Sequence, residues 1–200
     1  MTNEQVTDRR AARHQATKAR IVDAAWALAR EEGLAGISLR ELAKRVDLRQ
    51  PSLYSYFDSK HALYDAMFAE GYEQLLASVD SLELRGDPRT QVREMARAFT
   101  QLSVEDTVRA QLLFQRTLPG FEPSPESYAL ANQFLEYARR RLAAAGLTRP
   151  EDLDLYTALV GGLVNQQIAN DPGGTRWTDL VDEAVDMYFE HADAKGGTTE

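Results

Sequence analysis

The sequence predicts an all-α protein with about nine helices, in which a small amino-terminal domain of three helices precedes a larger carboxy-terminal helical bundle. Apolar residues recur three and four positions apart over most of the 200 residues, as expected when each helix buries one face. No segment keeps the alternation of apolar and polar residues that marks a strand. Glycine and proline residues fall between the apolar patterns, and these breaks separate one predicted helix from the next.

Composition limits both the compartment and the chemistry. The chain contains no cysteine, which excludes disulfides, thiol catalysis and metal sites with thiolate ligands. The first ten residues, MTNEQVTDRR, are polar and lack the apolar core of a signal peptide, and no later run predicts a membrane span. We therefore expect a cytoplasmic protein.

The net charge of −8 is unevenly distributed along the chain. Residues 1–60 hold eleven Lys/Arg and eight Asp/Glu, a net charge of +3, whereas residues 61–200 hold twelve and twenty-three, a net charge of −11. A basic head on an acidic body can bind phosphates through the head while the body stays away from a nucleic acid.

Residues 1–16 are predicted to be a flexible basic arm, because they contain few apolar anchors. The positive charge is concentrated in its second half and just beyond it, at Arg9, Arg10, Arg13, His14 and Lys18. Such an arm could lie along a DNA backbone or enter a minor groove, and it could equally be a solubilising tail.

The first helix is predicted from about Ala16 to Glu32 and is expected to end at Gly33. Trp26 lies off the centre of its apolar stripe, where it could bridge to the fourth helix. The stripe itself consists of Ile21, Ala24, Ala25, Leu28 and Ala29.

Residues 38–60, SLRELAKRVDLRQPSLYSYFDSK, predict two short helices joined by a tight turn and followed by a further helix. Ser38 and Glu41 form an S-x-x-E capping box, which marks the start of the second helix. Asp47 falls at the turn, where aspartate tolerates a left-handed backbone better than most residues but less well than glycine.

The third helix would carry an outer face of hydrogen-bond donors. Leu53 and Phe57, four residues apart, form its inner face, and Pro51 fits its first turn. The remaining side chains can donate hydrogen bonds and carry no negative charge; they are Arg49, Gln50, Ser52, Tyr54, Ser55 and Tyr56. A short helix of this kind, supported by a partner helix, suits the major groove of DNA. The alternative is a surface helix that happens to contain no acidic residue.

The segments ISLRELA, residues 37–43, and LYSYFDSK, residues 53–60, resemble the DNA-binding domain of TetR-type transcriptional regulators, with a match over roughly residues 17–68. The resemblance implies that Gln50, Pro51 and Ser52 face bases and that Tyr54 lies at the groove. It implies that Ser38, Tyr56 and Lys60 bind phosphates. The full set predicted to contact DNA is Ser38, Arg40, Arg49, Gln50, Pro51, Ser52, Tyr54, Ser55, Tyr56 and Lys60.

Two positions depart from the pattern of that family. Asp47 stands in the turn, where the family usually has glycine, and its charge could weaken DNA binding or pair with a neighbouring arginine. Arg49 stands at the start of the third helix, where the family often has a small hydroxyl residue, and it could read a base.

The helix-turn-helix domain is predicted over residues 17–60, an effector-binding and dimerisation domain over 61–194, and a disordered tail over 195–200. The fourth helix, from about Lys60 to Leu82, is long enough to join head and body as a rigid lever. After a break at residues 83–88, the apolar patterns predict five more helices, with loops at residues 119–125 and 172–174.

The resemblance implies a small-molecule effector and a homodimer. Residues that could line the effector pocket, although most of the aromatic ones could equally be plain core, are Phe99, Phe114, Arg116, Tyr128, Phe134, Tyr137, Tyr156, Asn165 and Gln166. The last two helices would pack against those of a second subunit, and glycines inside a helix favour such a close approach. The predicted interface residues are Ala158, Gly161, Gly162, Leu180, Val181, Ala184 and Tyr188.

No constellation for catalysis, metal binding or a cofactor is predicted. His14, His61 and His191 are far apart in the sequence, and neither a nucleophile elbow nor a glycine-rich phosphate loop is present. We hypothesise a ligand-responsive, homodimeric DNA-binding regulator, a repressor that binds a pseudo-palindromic operator and is released by a small molecule. The alternative is a dimeric helical interaction module whose basic head docks an acidic protein partner.

Overall fold

The computed structural model describes Asn3–Gly196, with side chains from residue 9 to residue 195. This part of the chain contains nine α helices and a short 3-10 turn and no strand, which confirms the predicted all-α class. The helices are α1 (Asn3–Gly36), α2 (Leu39–Arg45), α3 (Gln50–Leu53), α4 (Lys60–Asp80), α5 (Pro88–Glu105), α6 (Thr107–Phe114), α7 (Pro125–Ala144), α8 (Asp152–Asn170) and α9 (Val181–Gly196), with the 3-10 turn at Thr178–Leu180. Residues 1, 2 and 197–200, which belong to the predicted arm and tail, lie outside the described residues.

The start predicted for the first helix is wrong, because α1 begins at Asn3 and not near Ala16. Residues 3–16 lack apolar anchors, but most of them are Glu, Gln, Ala or Arg, which are strong helix formers. Helix propensity therefore extends α1 beyond the part that its buried stripe would hold. At the other end, Gly33 adopts φ 74° and interrupts α1 at the position predicted for its end.

The chain folds as two compact units whose limits differ from the predicted domain boundary at residue 60. The first unit comprises the residues up to Gly71 together with Gln111–Tyr128, and the second comprises Tyr72–Ala110 and the residues from Ala129 onward. The first unit gains residues 111–128 because of contacts with the first half of α4. Phe121 lies against Tyr64, with ring centroids 5.7 Å apart, and the Ser124 backbone N–H donates to the Asp65 carboxylate at 2.7 Å.

The core of the first unit is formed by the apolar faces of α1 to α4. Its fully buried side chains include Ile21, Leu28, Leu42, Leu53, Leu63 and Met67. Trp26 is also buried, and its indole Nε1 donates a hydrogen bond to the Glu70 carboxylate on α4 at 2.7 Å. The bridge from Trp26 to the fourth helix is therefore confirmed, and it fixes α1 against α4.

In the second unit α5, α8 and α9 pack on one another. The buried Asp152 carboxylate accepts hydrogen bonds from the Arg149 backbone N–H at 2.8 Å and from the Tyr188 hydroxyl at 2.7 Å. The buried Gln167 side chain accepts from the Trp177 backbone N–H at 2.8 Å and so holds the loop before α9. Among the described residues no helix is long and apolar enough to cross a membrane.

Candidate nucleic-acid interface

The turn between α2 and α3 is built as the sequence predicts. The Ser38 side chain accepts a hydrogen bond from the Glu41 backbone N–H at 3.4 Å and so caps the start of α2. Asp47 adopts φ 56° and is the non-glycine residue with positive φ in the described chain. The Leu48 backbone N–H donates to the Ala43 carbonyl at 2.8 Å and that of Asp47 to Lys44 at 3.2 Å, the pair of bonds that defines a Schellman motif.

Two buried apolar side chains hold α3 in place. Leu53 and Phe57 are 0% and 3% exposed, whereas Tyr54 between them is 46% exposed. α3 is a single turn, Gln50–Leu53, continued by turns through Tyr56. The remaining residues predicted to contact DNA on this segment are exposed: Arg49, Gln50, Pro51, Ser52 and Ser55. The segment therefore presents donors to the outside, as the major-groove interpretation requires.

Tyr56 is oriented by α1. Its ring stacks on the His14 imidazole, with centroids 4.6 Å apart and an angle of 19° between the planes. One turn further along α1, the Lys18 ammonium lies 5.4 Å from the centre of the Phe57 ring. His14 and Lys18 were predicted to belong to a basic cluster, and these contacts with the aromatic rings were not predicted. The four-residue spacing of His14 and Lys18 on a continuous helix, opposite two consecutive aromatic residues, is the signal that would have found them.

Lys60, for which the resemblance implies a phosphate contact, also makes contacts within the domain. Its ammonium donates to the Ala35 carbonyl at 2.8 Å and lies 5.5 Å from the centre of the Tyr64 ring. Desolvation in this half-buried position lowers the pKa of the Lys60 ammonium below its ordinary value. The side chain thus joins the start of α4 to the end of α1, and any phosphate contact must use its remaining donors.

Two of the three exposed cations of α2 are paired with carboxylates. Arg45 donates to the Glu31 carboxylate at 2.8 Å, and this hydrogen bond holds the pKa of Glu31 below its usual value. Lys44 pairs with Glu41 at 3.1 Å. Arg40 is exposed on the same helix, as is the capping residue Ser38.

The residues predicted to line an effector pocket fall in both units. Phe114, Arg116 and Tyr128 belong to the first unit and are exposed. Within the second unit the rings of Phe99 and Phe134 stack with centroids 6.1 Å apart. The hydroxyl group of Tyr137, another predicted pocket residue of this unit, donates to the Val79 carbonyl at 3.2 Å. Of the remaining predicted pocket residues, Tyr156 is buried and Asn165 and Gln166 are exposed.

Some of the residues predicted at a dimer interface are exposed or half-buried, and the others are buried in the second unit. Ala158, Gly162 and Leu180 are exposed, while Gly161 and Ala184 are half-buried. A Cβ atom at Gly161 or Gly162 would meet no atom within 4 Å apart from its own stretch of helix, so the close approach predicted from these glycines does not occur among the described residues. Val181 and Tyr188 are correctly placed on α9 but face the core of the second unit, because α5 and α8 cover that side of the helix.

Side chains that could bind a metal do not cluster in the part of the chain that the structure describes. No group of three or more His, Asp or Glu residues there is positioned around a common point.

Comparison with known proteins agrees with this geometry. A family model described as "Bacterial regulatory proteins, tetR family" matches residues 21–67. The chain is 26% identical over 187 residues to an HTH-type transcriptional repressor of Mycobacterium tuberculosis, a match that covers 88% of this chain and 70% of the relative.

Solved structures share the fold. One is the TetR family regulator PfmR of Thermus thermophilus, with a TM-score of 0.60 and 22% identity over 86% of this chain and 97% of that one. Another is the regulator FadR of Bacillus subtilis in complex with stearoyl-CoA, with a TM-score of 0.64 and 15% identity over 84% of this chain and 95% of that one.

Proposed function

We propose that the chain, whose residues 21–67 match the model of the tetR family of bacterial regulatory proteins, acts as a ligand-responsive, homodimeric transcriptional repressor. In this proposal it binds a pseudo-palindromic operator and leaves it when a small-molecule effector binds. The observation that carries the proposal is the exposed, acid-free outer face of α3, held outward by the buried Leu53 and Phe57.

The donors of this interface are proposed to have two roles. Gln50, Ser52 and Arg49 would reach base edges in the major groove, with Pro51 and Tyr54 packed at the groove. Phosphates on either side would be bound by the others, namely Ser38, Arg40, Ser55, Tyr56 and Lys60. Changing a base-facing residue should alter sequence preference, whereas changing a phosphate-facing residue should weaken binding to all sequences alike.

A second subunit is proposed to pack on α8 and α9. Besides the exposed Ala158, Gly162 and Leu180 and the half-buried Gly161 and Ala184, α8 and α9 carry Leu155 and Met187, which are 44% and 62% exposed. Exposed apolar side chains of this size favour a protein partner. A two-fold dimer would place two copies of α3 in successive major grooves, about 34 Å apart.

The effector is proposed to be a largely apolar molecule with at least one hydrogen-bonding group. Within the second unit the Phe99–Phe134 stack supplies aromatic surface, and the Tyr156 hydroxyl is buried without a hydrogen-bond partner among the described residues. A buried hydroxyl in that state favours a ligand that completes its hydrogen bonding. The effector can release DNA only if it binds more tightly to a conformation that the operator disfavours.

The experiment that tests the proposal is fluorescence anisotropy with a labelled duplex of the intergenic DNA beside the gene. We expect sequence-specific binding by a dimer, with an affinity that falls as salt rises by about 0.9 log units per log unit of salt for each phosphate contact. Apolar ligands with one polar group are then added to look for release, and long-chain acyl-CoA compounds, which join an apolar chain to a charged group, are tested beside them. Equal binding to any duplex, or competition by heparin but not by the specific duplex, would contradict the proposal and favour an acidic protein partner.

A further inference from the structure

One face of α1 continues the candidate nucleic-acid interface. His14 stacks on Tyr56, and Lys18, four residues later, lies over the Phe57 ring. Residues four apart share a face of a helix, so both contacts turn the same side of α1 toward the segment that follows α3. The aromatic contacts thus set the direction in which the earlier part of α1 leaves the domain.

The next residue on that face is Arg10, which is exposed. It lies four residues before His14, so its Cα is about 6 Å further along the helix axis. Arg9 and Arg13 are exposed beside it. From residue 9 to residue 22 the helix carries no Asp/Glu. Its five Lys/Arg in this range are Arg9, Arg10, Arg13, Lys18 and Arg20.

We propose that this early part of α1 is a rigid second DNA-binding surface, which contacts the phosphodiester backbone outside the segment read by α3. The proposal rests on the proposed DNA-binding function and extends it. Tyr56 is proposed to meet a phosphate, and His14 fixes α1 against the same ring, so Arg10 lies next to that phosphate. Arg9 and Arg13 add charge to the same surface, and arginine binds phosphate with paired donors.

The helical state of this segment decides how it meets DNA. An α helix with its side chains is about 10–12 Å wide, whereas the minor groove of B-DNA is about 6 Å wide. An extended basic arm could enter that groove, but α1 cannot. The helix therefore lies along the backbone, where it adds affinity without adding sequence information.

The test compares two duplexes with the full-length protein. Hydroxyl-radical footprinting on the intergenic DNA first defines the half-sites. One labelled duplex ends at their outer edges, and the other continues by about six base pairs on each side, roughly 20 Å of B-DNA. The variant carries Arg9→Gln, Arg10→Gln and Arg13→Gln, changes that keep the helix propensity of the segment. A matched control carries Arg85→Gln, Arg139→Gln and Arg140→Gln, three exposed cations of the second unit.

We expect the unmodified protein and the control to bind the longer duplex more tightly and with a steeper dependence on salt, by about 0.9 in the log–log slope per added phosphate contact. The α1 variant should bind both duplexes with the affinity that the unmodified protein has for the short one. The proposal is wrong if the unmodified protein binds both duplexes equally, or if the α1 variant and the control behave alike. Failure of the proposed function is distinct, because the unmodified protein would then show no sequence-specific binding to the short duplex.

His14 supplies a second test, because it is a positioning residue in this proposal. His14→Ala should reduce the advantage of the longer duplex, and His14→Phe, which keeps an aromatic ring on Tyr56, should restore it. Far-ultraviolet circular dichroism checks that both variants stay helical. A loss for His14→Ala that is equal on both duplexes would contradict the role of the stack in directing α1.

Discussion

The segment around α3 and the contact between α5 and α9 use polar side chains in opposite ways. On α3 the polar residues Gln50 and Ser52 are exposed, and the buried side chains of Leu53 and Phe57 anchor the segment to the domain. Between α5 and α9 the cations are paired across the contact, with Arg93 Nε 2.6 Å from the Asp186 carboxylate. The same arrangement repeats at Arg89–Asp193 and Arg97–Asp182.

The difference separates polarity that serves binding from polarity that serves folding. Leu53 and Phe57 hold the donors of α3 toward solvent and form no side-chain hydrogen bonds with them. A ligand such as DNA can therefore accept hydrogen bonds from these donors. Cations on α5 already face carboxylates of α9 and contribute to the packing of the second unit. Four mutational tests of this difference follow in order of decreasing expected effect.

Leu53→Ala is expected to have the largest effect, because it removes a fully buried anchor of α3. The free energy of unfolding of the first unit should fall by about 2–5 kcal/mol. The neighbouring Tyr54→Ala, at an exposed position, should change it by less than about 0.5 kcal/mol and still weaken DNA binding. Urea denaturation and anisotropy measure the two quantities. If Tyr54→Ala destabilised the protein as strongly as Leu53→Ala, the division into anchors and donors would be wrong.

Asp152→Asn tests a buried polar group of the second unit. Burial alone would raise the pKa of Asp152, but hydrogen bonds from Arg149 and Tyr188 outweigh it and hold the pKa below the ordinary 3.8. A carboxylate with a lowered folded-state pKa stabilises the fold above its unfolded pKa, and this contribution is lost as pH falls through the folded value.

At pH 7 we therefore expect Asp152→Asn to lower the free energy of unfolding by about 1–3 kcal/mol. The difference between the variant and the unmodified protein should shrink below about pH 4, where the unmodified carboxyl group also becomes protonated. Denaturation at several pH values measures this. A difference that stays constant down to pH 2 would show that the ionised form of Asp152 is not what stabilises α8.

Asp47→Gly tests the turn and should stabilise the protein. Asp47 has φ 56°, a conformation that glycine adopts without steric cost, so the free energy of unfolding should rise by up to about 1 kcal/mol. Removal of a negative charge beside the proposed phosphate contacts should also tighten DNA binding. Asp47→Asn is the control, since it removes the charge and keeps the side chain. Weaker DNA binding by both variants would instead indicate that Asp47 pairs with a base-facing arginine.

The smallest effect is expected for a single pair between α5 and α9. A double-mutant cycle of Arg93→Gln and Asp186→Asn should give a coupling of about 0.2–1 kcal/mol, because these side chains are partly exposed and screened by water. The coupling should decrease at high salt. DNA affinity measured in parallel should not change in either single variant, since the pair lies in the second unit. A loss of operator binding would remove the distinction between the two regions.

Local signals predicted the helix-turn-helix well. The cap at Ser38, the left-handed Asp47 and the buried pair Leu53 and Phe57 are all set by neighbours within a few residues. These features depend on backbone sterics and on the period of a helix, and both can be recognised in a sequence. The start of α1 was missed because the prediction relied on the buried apolar stripe, whereas the helix propensity of residues 3–16 extends α1 beyond that stripe.

Long-range contacts were beyond the reach of the sequence. Arg93 and Asp186 are 93 positions apart, and nothing in the sequence predicts that they meet. The same limit explains why Val181 and Tyr188 were expected to face a partner. A helix stripe shows that a face is apolar, but only the packing of α5 and α8 shows that this face is already covered.

The distribution of tryptophan has a practical consequence. The chain contains two tryptophans, and each unit holds one of them: Trp26 in the first and Trp177 in the second. The Trp26 indole is buried and hydrogen-bonded to Glu70, so opening of the first unit exposes it to water and shifts its emission to longer wavelengths. With Trp26→Phe and Trp177→Phe prepared separately, the intrinsic emission of the unlabelled protein reports whether its two halves melt together or one after the other.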